Sequence, residues 1–157
     1  MKKVFYAIFP FCLGCASVNT EVLIDAEPET VWSVLIETET YGEWNPVMVS
    51  ASARHEEGQT VTYEVHIEDE KPAEITSKVE TLSENRLLRQ SGGIWGILTF
   101  DHQYKLEPIE GGTKVIQRED YAGIGLLFWD HKKMQKAYES SNQALKQRVL
   151  SLKETSQ

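Results

Sequence analysis

Over the middle of this chain apolar and polar residues alternate, and near its C-terminus the spacing changes. From 60 to 67 the apolar positions are Val61, Tyr63, Val65 and Ile67, a period of two that predicts a half-buried strand. Over 97–106, Leu98, Phe100, His102, Tyr104 and Leu106 share one face in the same way. Further strands are predicted over 47–54, 72–82, 86–91 and 113–122, punctuated by turn signals such as Glu57-Gly58, Gly92-Gly93 and Gly111-Gly112. A shorter apolar strand is predicted over 21–25. Pro28 then suits the first turn of a helix, with Glu27 and Glu29 where the helix dipole favours acids. Val31, Trp32, Leu35 and Ile36 give that helix its apolar face. Residues 39–44 predict a second short helix, stopped by Asn45-Pro46. Beyond 126 the period lengthens. Met134, Ala137, Tyr138, Ser141, Leu145, Val149 and Leu152 recur at threes and fours, which predicts a long amphipathic helix over 126–152.

Strands joined by short turns are antiparallel neighbours. A single sheet must cover its apolar face, and the long helix carries the matching stripe. The predicted class is α+β: a curved antiparallel sheet of six or seven strands around a long C-terminal helix, with two short helices after the first strand.

The N-terminal residues follow a different logic. Lys2 and Lys3 precede an uncharged run over 4–14, and Gly14-Cys15-Ala16 follows. Positive, apolar, small is the order of a secretory signal. The run is about half the ~20 residues a bilayer span needs, and Pro10 interrupts it. Leu13-Gly14-Cys15 resembles a bacterial lipoprotein signal, which makes Cys15 the lipidated first residue of the mature chain. Cys12 stands where such signals usually carry Leu. A cleaved signal without lipid, or an apolar tail on a cytoplasmic protein, are the alternatives. On the lipoprotein reading, 1–14 is the signal peptide, 15–21 the lipidated cysteine and its tether, 22–153 the domain and 154–157 a frayed tail. Such a tether reaches about 20–25 Å when extended. The protein would then sit in the bacterial cell envelope, at a membrane.

Composition narrows the function. The chain has 157 residues, enough for one domain with a real core, and a net charge of −8. That balance repels phosphate backbones, and no basic aromatic stripe offsets it, so nucleic acid is not an expected partner. Both cysteines, Cys12 and Cys15, fall in the N-terminal segment, so the domain needs no disulfide. As a Cys-x-x-Cys pair they lack the second pair that zinc needs and the βαβ context of a redox site.

The segments Glu27-Pro28-Glu29-Thr30-Val31-Trp32 and Trp44-Asn45-Pro46 resemble landmarks of the START-like superfamily called SRPBCC, which includes polyketide cyclase and dehydrase-like and Bet v 1-like proteins. Asp101-His102-Gln103-Tyr104-Lys105-Leu106-Glu107-Pro108, Gly111-Gly112-Thr113-Lys114-Val115 and Tyr121-Ala122-Gly123 are similar to its final hairpin and the entry to its last helix. The resemblance spans about 22–153. It implies a helix-grip fold enclosing an apolar cavity that takes a lipid, sterol, hormone, quinone or polyketide. It implies no shared catalytic set, and fold alone does not settle function.

Three groups of residues are candidates. Trp44, Tyr63, Trp95, Phe100, Tyr104, Tyr121, Phe128 and Trp129 fall where the wall of such a cavity would lie, though aromatics also fill any core. His102 shares a face with Phe100 and Tyr104, and Glu119 and Tyr121 share parity on the next strand. Buried together, an imidazole, a carboxylate and a phenol suit acid–base work, orientation of a ligand's polar head, or plain structure. They offer a metal too few ligands, and His131 completes no ligand motif, so no metal or cofactor is expected. The segment Gly123-Ile124-Gly125-Leu126-Leu127-Phe128-Trp129 reads as a gate or lipid-touching lip, or as a buried helix entry. Lys132, Lys133 and Lys136 follow it, facing either anionic headgroups or nearby acids. The leading expectation is a binding module for an apolar small molecule or lipid, anchored to a membrane through lipid. The alternatives are a cyclase or dehydratase using the same cavity, and a protein-interaction module.

Overall fold

A computed structural model describes residues 14–128 and 132–155. Residues 1–13, which hold most of the expected signal peptide, 129–131, which include Trp129 and His131, and the last two residues lie outside the described residues. The elements run β1 (Cys15–Ile24), α1 (Pro28–Ile36), a 3₁₀ turn (Thr38–Thr40), α2 (Tyr41–Trp44), β2 (Met48–Ala51), β3 (Thr60–Val65), β4 (Ala73–Ser83), β5 (Leu87–Ile94), β6 (Leu98–Ile109), β7 (Gly112–Ala122), a 3₁₀ turn (Ile124–Leu127) and α3 (Lys132–Thr155). The seven strands form one curled antiparallel sheet in the order β1-β7-β6-β5-β4-β3-β2, with α3 as the long helix of a helix-grip fold. Every consecutive pair from β2 to β7 is a neighbour, as short turns require. The chain crosses once, from β1 through α1 and α2 to the far edge.

The alternation read from the sequence is the inward face. Val61, Tyr63 and Val65 are buried on β3, and His102, Tyr104 and Leu106 on β6. On α3 the stripe of Met134, Tyr138, Ser141, Leu145 and Val149 turns inward, joined by Asn142. Helix α3 leans chiefly on β1 and α1. Its second half joins the main core, where Leu145 and Val149 meet Val22, Ile24, Trp32 and Leu35. Its first half makes a smaller cluster with Val18 and Tyr121. Because the helix leans toward one edge, part of the concave face over β3–β6 has no helix against it. Polar devices hold the corners. Asn45 Oδ1 accepts from the amides of Val47 (2.9 Å) and Met48 (3.0 Å), fixing the turn into β2. Tyr41 donates to the Leu35 carbonyl at 2.6 Å, tying α2 to α1.

Three expectations need correction. The first strand starts at Cys15, and all ten of its residues pair with β7. Residues 15–21 are therefore a strand and not a free tether. Thr20 concealed this, because it is a polar residue on the inward face. Its hydroxyl donates to the Gln117 carbonyl (3.4 Å) and accepts from Asn142 Nδ2 (2.7 Å), so its burial costs little. The long helix is described from Lys132, and residues 124–127 form a separate 3₁₀ turn. Finally, Gly92-Gly93 does not end β5, which continues to Ile94.

Gly92 stays in the strand because of what lies over it. A Cβ at this position would come within 2.5 Å of Phe100 Cζ and of the Thr76 carbonyl oxygen. The missing side chain makes room for the Phe100 ring. Gly92→Ala should therefore destabilise the fold by about 1–3 kcal/mol, the usual cost of overpacking. Urea unfolding measures it, and an unchanged midpoint would show that the ring moves aside freely.

Candidate functional site

The gap between α3 and the sheet is a cavity of about 450 Å³. Its walls are mainly apolar: Val47, Met48, Val65, Ile67, Ile75, Leu98, Phe100 and Met134. It separates the two apolar clusters, with Tyr63 and Val65 from one and Tyr121, Met134 and Tyr138 from the other. Exposed Ala73, Glu74 and Ile94 belong to its rim, and buried Ser77, Gln90, His102 and Glu119 to its floor.

Sheet register builds that floor. Gln90 on β5 stands opposite His102 on β6, and His102 opposite Glu119 on β7. Three polar side chains thus occupy one row across three strands. In the next row Phe100 stands opposite Tyr121 and Gly92. Inward parity buries Gln90, His102, Glu119 and Tyr121, so each of these polar groups must find a partner inside.

Two networks result. Tyr121 and Tyr138 both donate their hydroxyls to Glu119 Oε2. The other centres on Tyr63, whose oxygen accepts from Gln90 Nε2 at 2.6 Å. Its own proton then goes to His55 Nε2, also at 2.6 Å, so His55 is neutral and carries its proton on Nδ1. Gln90 Nε2 also donates to Ser77 Oγ at 3.0 Å. His102 Nε2 faces Gln117 Nε2 at 3.1 Å, which assigns the His102 proton to Nδ1. The His102 ring stands edge-on to Tyr104 at 4.9 Å between centroids, with Tyr138 at 5.5 Å.

The structure thus brings His102, Glu119, Tyr121, Tyr63 and Phe100 together on the cavity wall. It places the other candidates elsewhere. Tyr104 is buried behind His102, and its phenol is pushed upward by that burial. Trp44 packs edge-on against Tyr41 at 5.4 Å, beside the main core. Trp95 and Phe128 are exposed and do not line the cavity. Their loops turn at glycines and carry them to the outer surface. Lys133 and Lys136 pair with Glu70 (3.1 Å) and Glu68 (3.5 Å), the acid-facing alternative. Sequence reading missed Ser77, Gln90 and Tyr138 as wall residues. The signal was available: Ser77 and Gln90 share inward parity with Val79 and Leu88, and Tyr138 lies on the helix stripe. Among the described residues no group of three His, Cys, Asp or Glu stands close enough to hold a metal ion.

Burial shifts the charges in opposite senses. It raises the Glu119 carboxyl from 4.5 to about 7; the two tyrosine hydroxyls pull it down, while Asp101 and Asp120 add to the rise. It lowers His102 and His55 from 6.5 to about 4. Tyr63 is pushed up to about 12. Near neutral pH the two buried imidazoles are uncharged, while the Glu119 carboxyl is poised to gain or lose a proton.

The sign for stability follows. The native state holds the Glu119 proton more tightly than the unfolded chain. That contribution is full below about pH 4.5 and is lost as pH rises through about 7. The histidines do the reverse: their contribution is present above about pH 6.5 and lost as pH falls through about 4. Glu119→Gln removes only the first effect. Relative to the unsubstituted protein it should gain roughly 2–3 kcal/mol between about pH 5 and pH 8. Urea unfolding at both values checks this; an equal offset at the two would mean an ordinary carboxyl.

Known structures share this fold. Ara h 8.0201 superposes with a TM-score of 0.69 at 18% identity, covering 88% of this chain and 99% of its own. A START superfamily protein from Mycobacterium smegmatis gives 0.66 at 20% identity, covering 87% and 98%. The di-domain ARO/CYC BexL from the BE-7585A biosynthetic pathway gives 0.71 at 12% identity, covering 86% of this chain and 50% of its own. At these identities the likeness concerns the fold. No curated protein matches the chain. The family profile described as polyketide cyclase / dehydrase and lipid transport matches residues 16–150, most of the described sheet and helix, and the chain belongs to that family.

Proposed function

We propose that the protein binds an apolar small molecule or lipid carrying a hydrogen-bonding head, at a bacterial membrane. One observation carries the reading: an apolar cavity whose floor is the polar row Gln90–His102–Glu119, flanked by the hydroxyls of Tyr63, Tyr121 and Tyr138. An apolar body would fill the space between Phe100, Leu98 and Met134. A donor or acceptor head would exchange water for the row, and a ligand without one would leave those groups unpaired. The family's description includes lipid transport, and the similarity to START and cyclase folds agrees with a ligand of this kind.

Glu119 favours one rival. A carboxyl titrating near neutrality between two phenols suits acid–base catalysis on a cyclase- or dehydratase-type substrate. The binding reading is preferred because the cavity wall is mainly apolar and the Glu119 carboxyl is already engaged by both tyrosine hydroxyls.

The envelope location belongs to the same proposal. It is supported by the order of residues 1–15 and by the start of β1 at Cys15. Lipid on Cys15 would hold the sheet edge against the bilayer with no slack between.

Native mass spectrometry of the purified protein should find a co-purified apolar species. His102→Ala should weaken its retention by about 0.5–1.5 kcal/mol, or more if the Gln117 amide is left unpaired, while the fold persists. Unchanged affinity would remove His102 from the binding set, and turnover abolished by Glu119→Gln would favour the enzyme. Cys15→Ser should release the protein from the membrane fraction; equal fractionation with the unsubstituted protein would defeat the lipoprotein reading.

A further inference from the structure

Among the described residues nine large apolar side chains are exposed, and six of them sit on two touching loops. The turn between β5 and β6 carries Ile94 (64% exposed), Trp95 (90%) and Ile97 (55%). The 3₁₀ turn after β7 carries Ile124 (39%) and Leu127 (71%), and Phe128 (89%) follows. The loops are locked together: Gly125 N donates to the Ile97 carbonyl at 2.7 Å, and Ile124 N to the Gly96 carbonyl at 3.5 Å. Gly123 adopts φ +142°, and a Cβ there would meet the Ile97 carbonyl oxygen at 2.2 Å, so the close approach requires glycine. Neither 91–100 nor 121–129 contains a charged residue.

Two further features meet at this surface. Ile94 and Ile97 also line the cavity, so the patch adjoins its mouth. The N-terminal segment arrives here as well. The Gly14 carbonyl accepts from Gly123 N at 3.1 Å, and a Cβ on Gly14 would lie 3.6 Å from Leu126 Cβ. The chain before Gly14 is the uncharged run over 4–13, and Cys15 follows at once with its side chain exposed.

We infer that the Ile94–Ile97 turn and the Ile124–Phe128 segment form a docking surface for an electrically neutral lipid bilayer, which brings the cavity mouth to the lipid. The occupant follows from the chemistry. Trp and Phe project from short glycine-bounded loops, a shape that enters a soft interface and has no facing concavity to match. On the lipoprotein reading residues 1–14 are removed, and a lipid on Cys15, which stands next to Gly14 at this edge, would enter the same membrane. Charge excludes attraction to anionic lipid: the chain is net −8, and Lys133 and Lys136 are engaged by Glu70 and Glu68. Attachment driven by apolar burial alone is insensitive to salt. This inference deepens the binding reading by naming the phase from which the cavity loads.

The test uses the full chain carrying Cys12→Ser and Cys15→Ser, so that no lipid is attached, with phosphatidylcholine vesicles in flotation. The protein should float equally at low and high salt. Trp95→Glu with Phe128→Glu should lower the partition coefficient by about tenfold or more, the order expected for withdrawing large apolar side chains from an apolar phase. Both side chains are exposed, so the circular dichroism and urea midpoint should not change. A bimane label at Trp95→Cys in the same background should shift to the blue on adding vesicles and be quenched by brominated lipid. Label emission that stays as in water overturns the inference. So does flotation that needs anionic lipid and vanishes in salt, or a lipid-free dimer that the same substitutions dissolve. The surface and the cavity fail separately. Vesicle binding without any retained small molecule removes the cavity reading alone, and retention without vesicle binding removes the surface alone.

Discussion

One curled sheet has to be sheltered by one helix, and a single helix is too narrow for the task. Helix α3 resolves this by leaning on β1 and α1, where Leu145 and Val149 complete the main core. Part of the concave face over β3–β6 then has no helix above it. Side chains half-fill the space: Tyr63 from the sheet, Met134 and Tyr138 from the helix. What they leave is the cavity. It therefore follows from the ratio of sheet width to helix diameter, and packing the core better would close it only if larger side chains replaced Ser77, Gln90 and Gly92.

Those residues stay small or polar for linked reasons. Gly92 makes room for the Phe100 ring, which walls the cavity beside the polar row. Ser77 accepts from Gln90, and Gln90 donates to Tyr63, which holds His55 neutral. Ser77, Gln90, Tyr63 and His55 are thus linked in one chain, which ends at the buried His55 Nδ1. Removing water from the row shifts acid and base in opposite directions, giving neutral imidazoles beside a carboxyl that titrates near 7. A cavity of this kind is apolar in shape and adjustable in charge at one point, Glu119.

Strand alternation was legible because inward positions on β3 and β6 are apolar at nearly every step. The same parity placed His102, Glu119 and Tyr121 on the inside. It failed where an inward residue was polar and its partner distant in sequence. Thr20 is satisfied by Asn142, 122 residues away, so the first half of β1 looked like a tether. Gln90 and Ser77 escaped notice for the same reason. Trp95 and Phe128 failed differently. An aromatic residue near a strand end is equally consistent with a wall and with a projecting loop, and only the glycine geometry around residues 96 and 123 decides between them. Periodicity carries which face a residue takes, and it carries nothing about loops, where no period exists.

The exposed loops and the polar floor stand at opposite ends of one physical gradient. At the rim Ile94 and Ile97 offer apolar surface on the β5–β6 side, and Glu74 on β4 adds a charge. Further in, Leu98 and Phe100 continue that surface along β6, and two residues later His102 begins the polar row. An amphipathic molecule entering from an apolar phase would keep apolar contact along β6 while its head lost solvent, and would regain hydrogen bonds only at the floor. Desolvation of the head is the expensive step, and the alternating inward positions 98, 100 and 102 place its compensation at the end of the path. Selection would then rest on the match between the length of the apolar body and the distance from rim to row. Head chemistry would set the strength of binding, because Glu119 accepts from a donor when ionised and can donate to an acceptor when protonated.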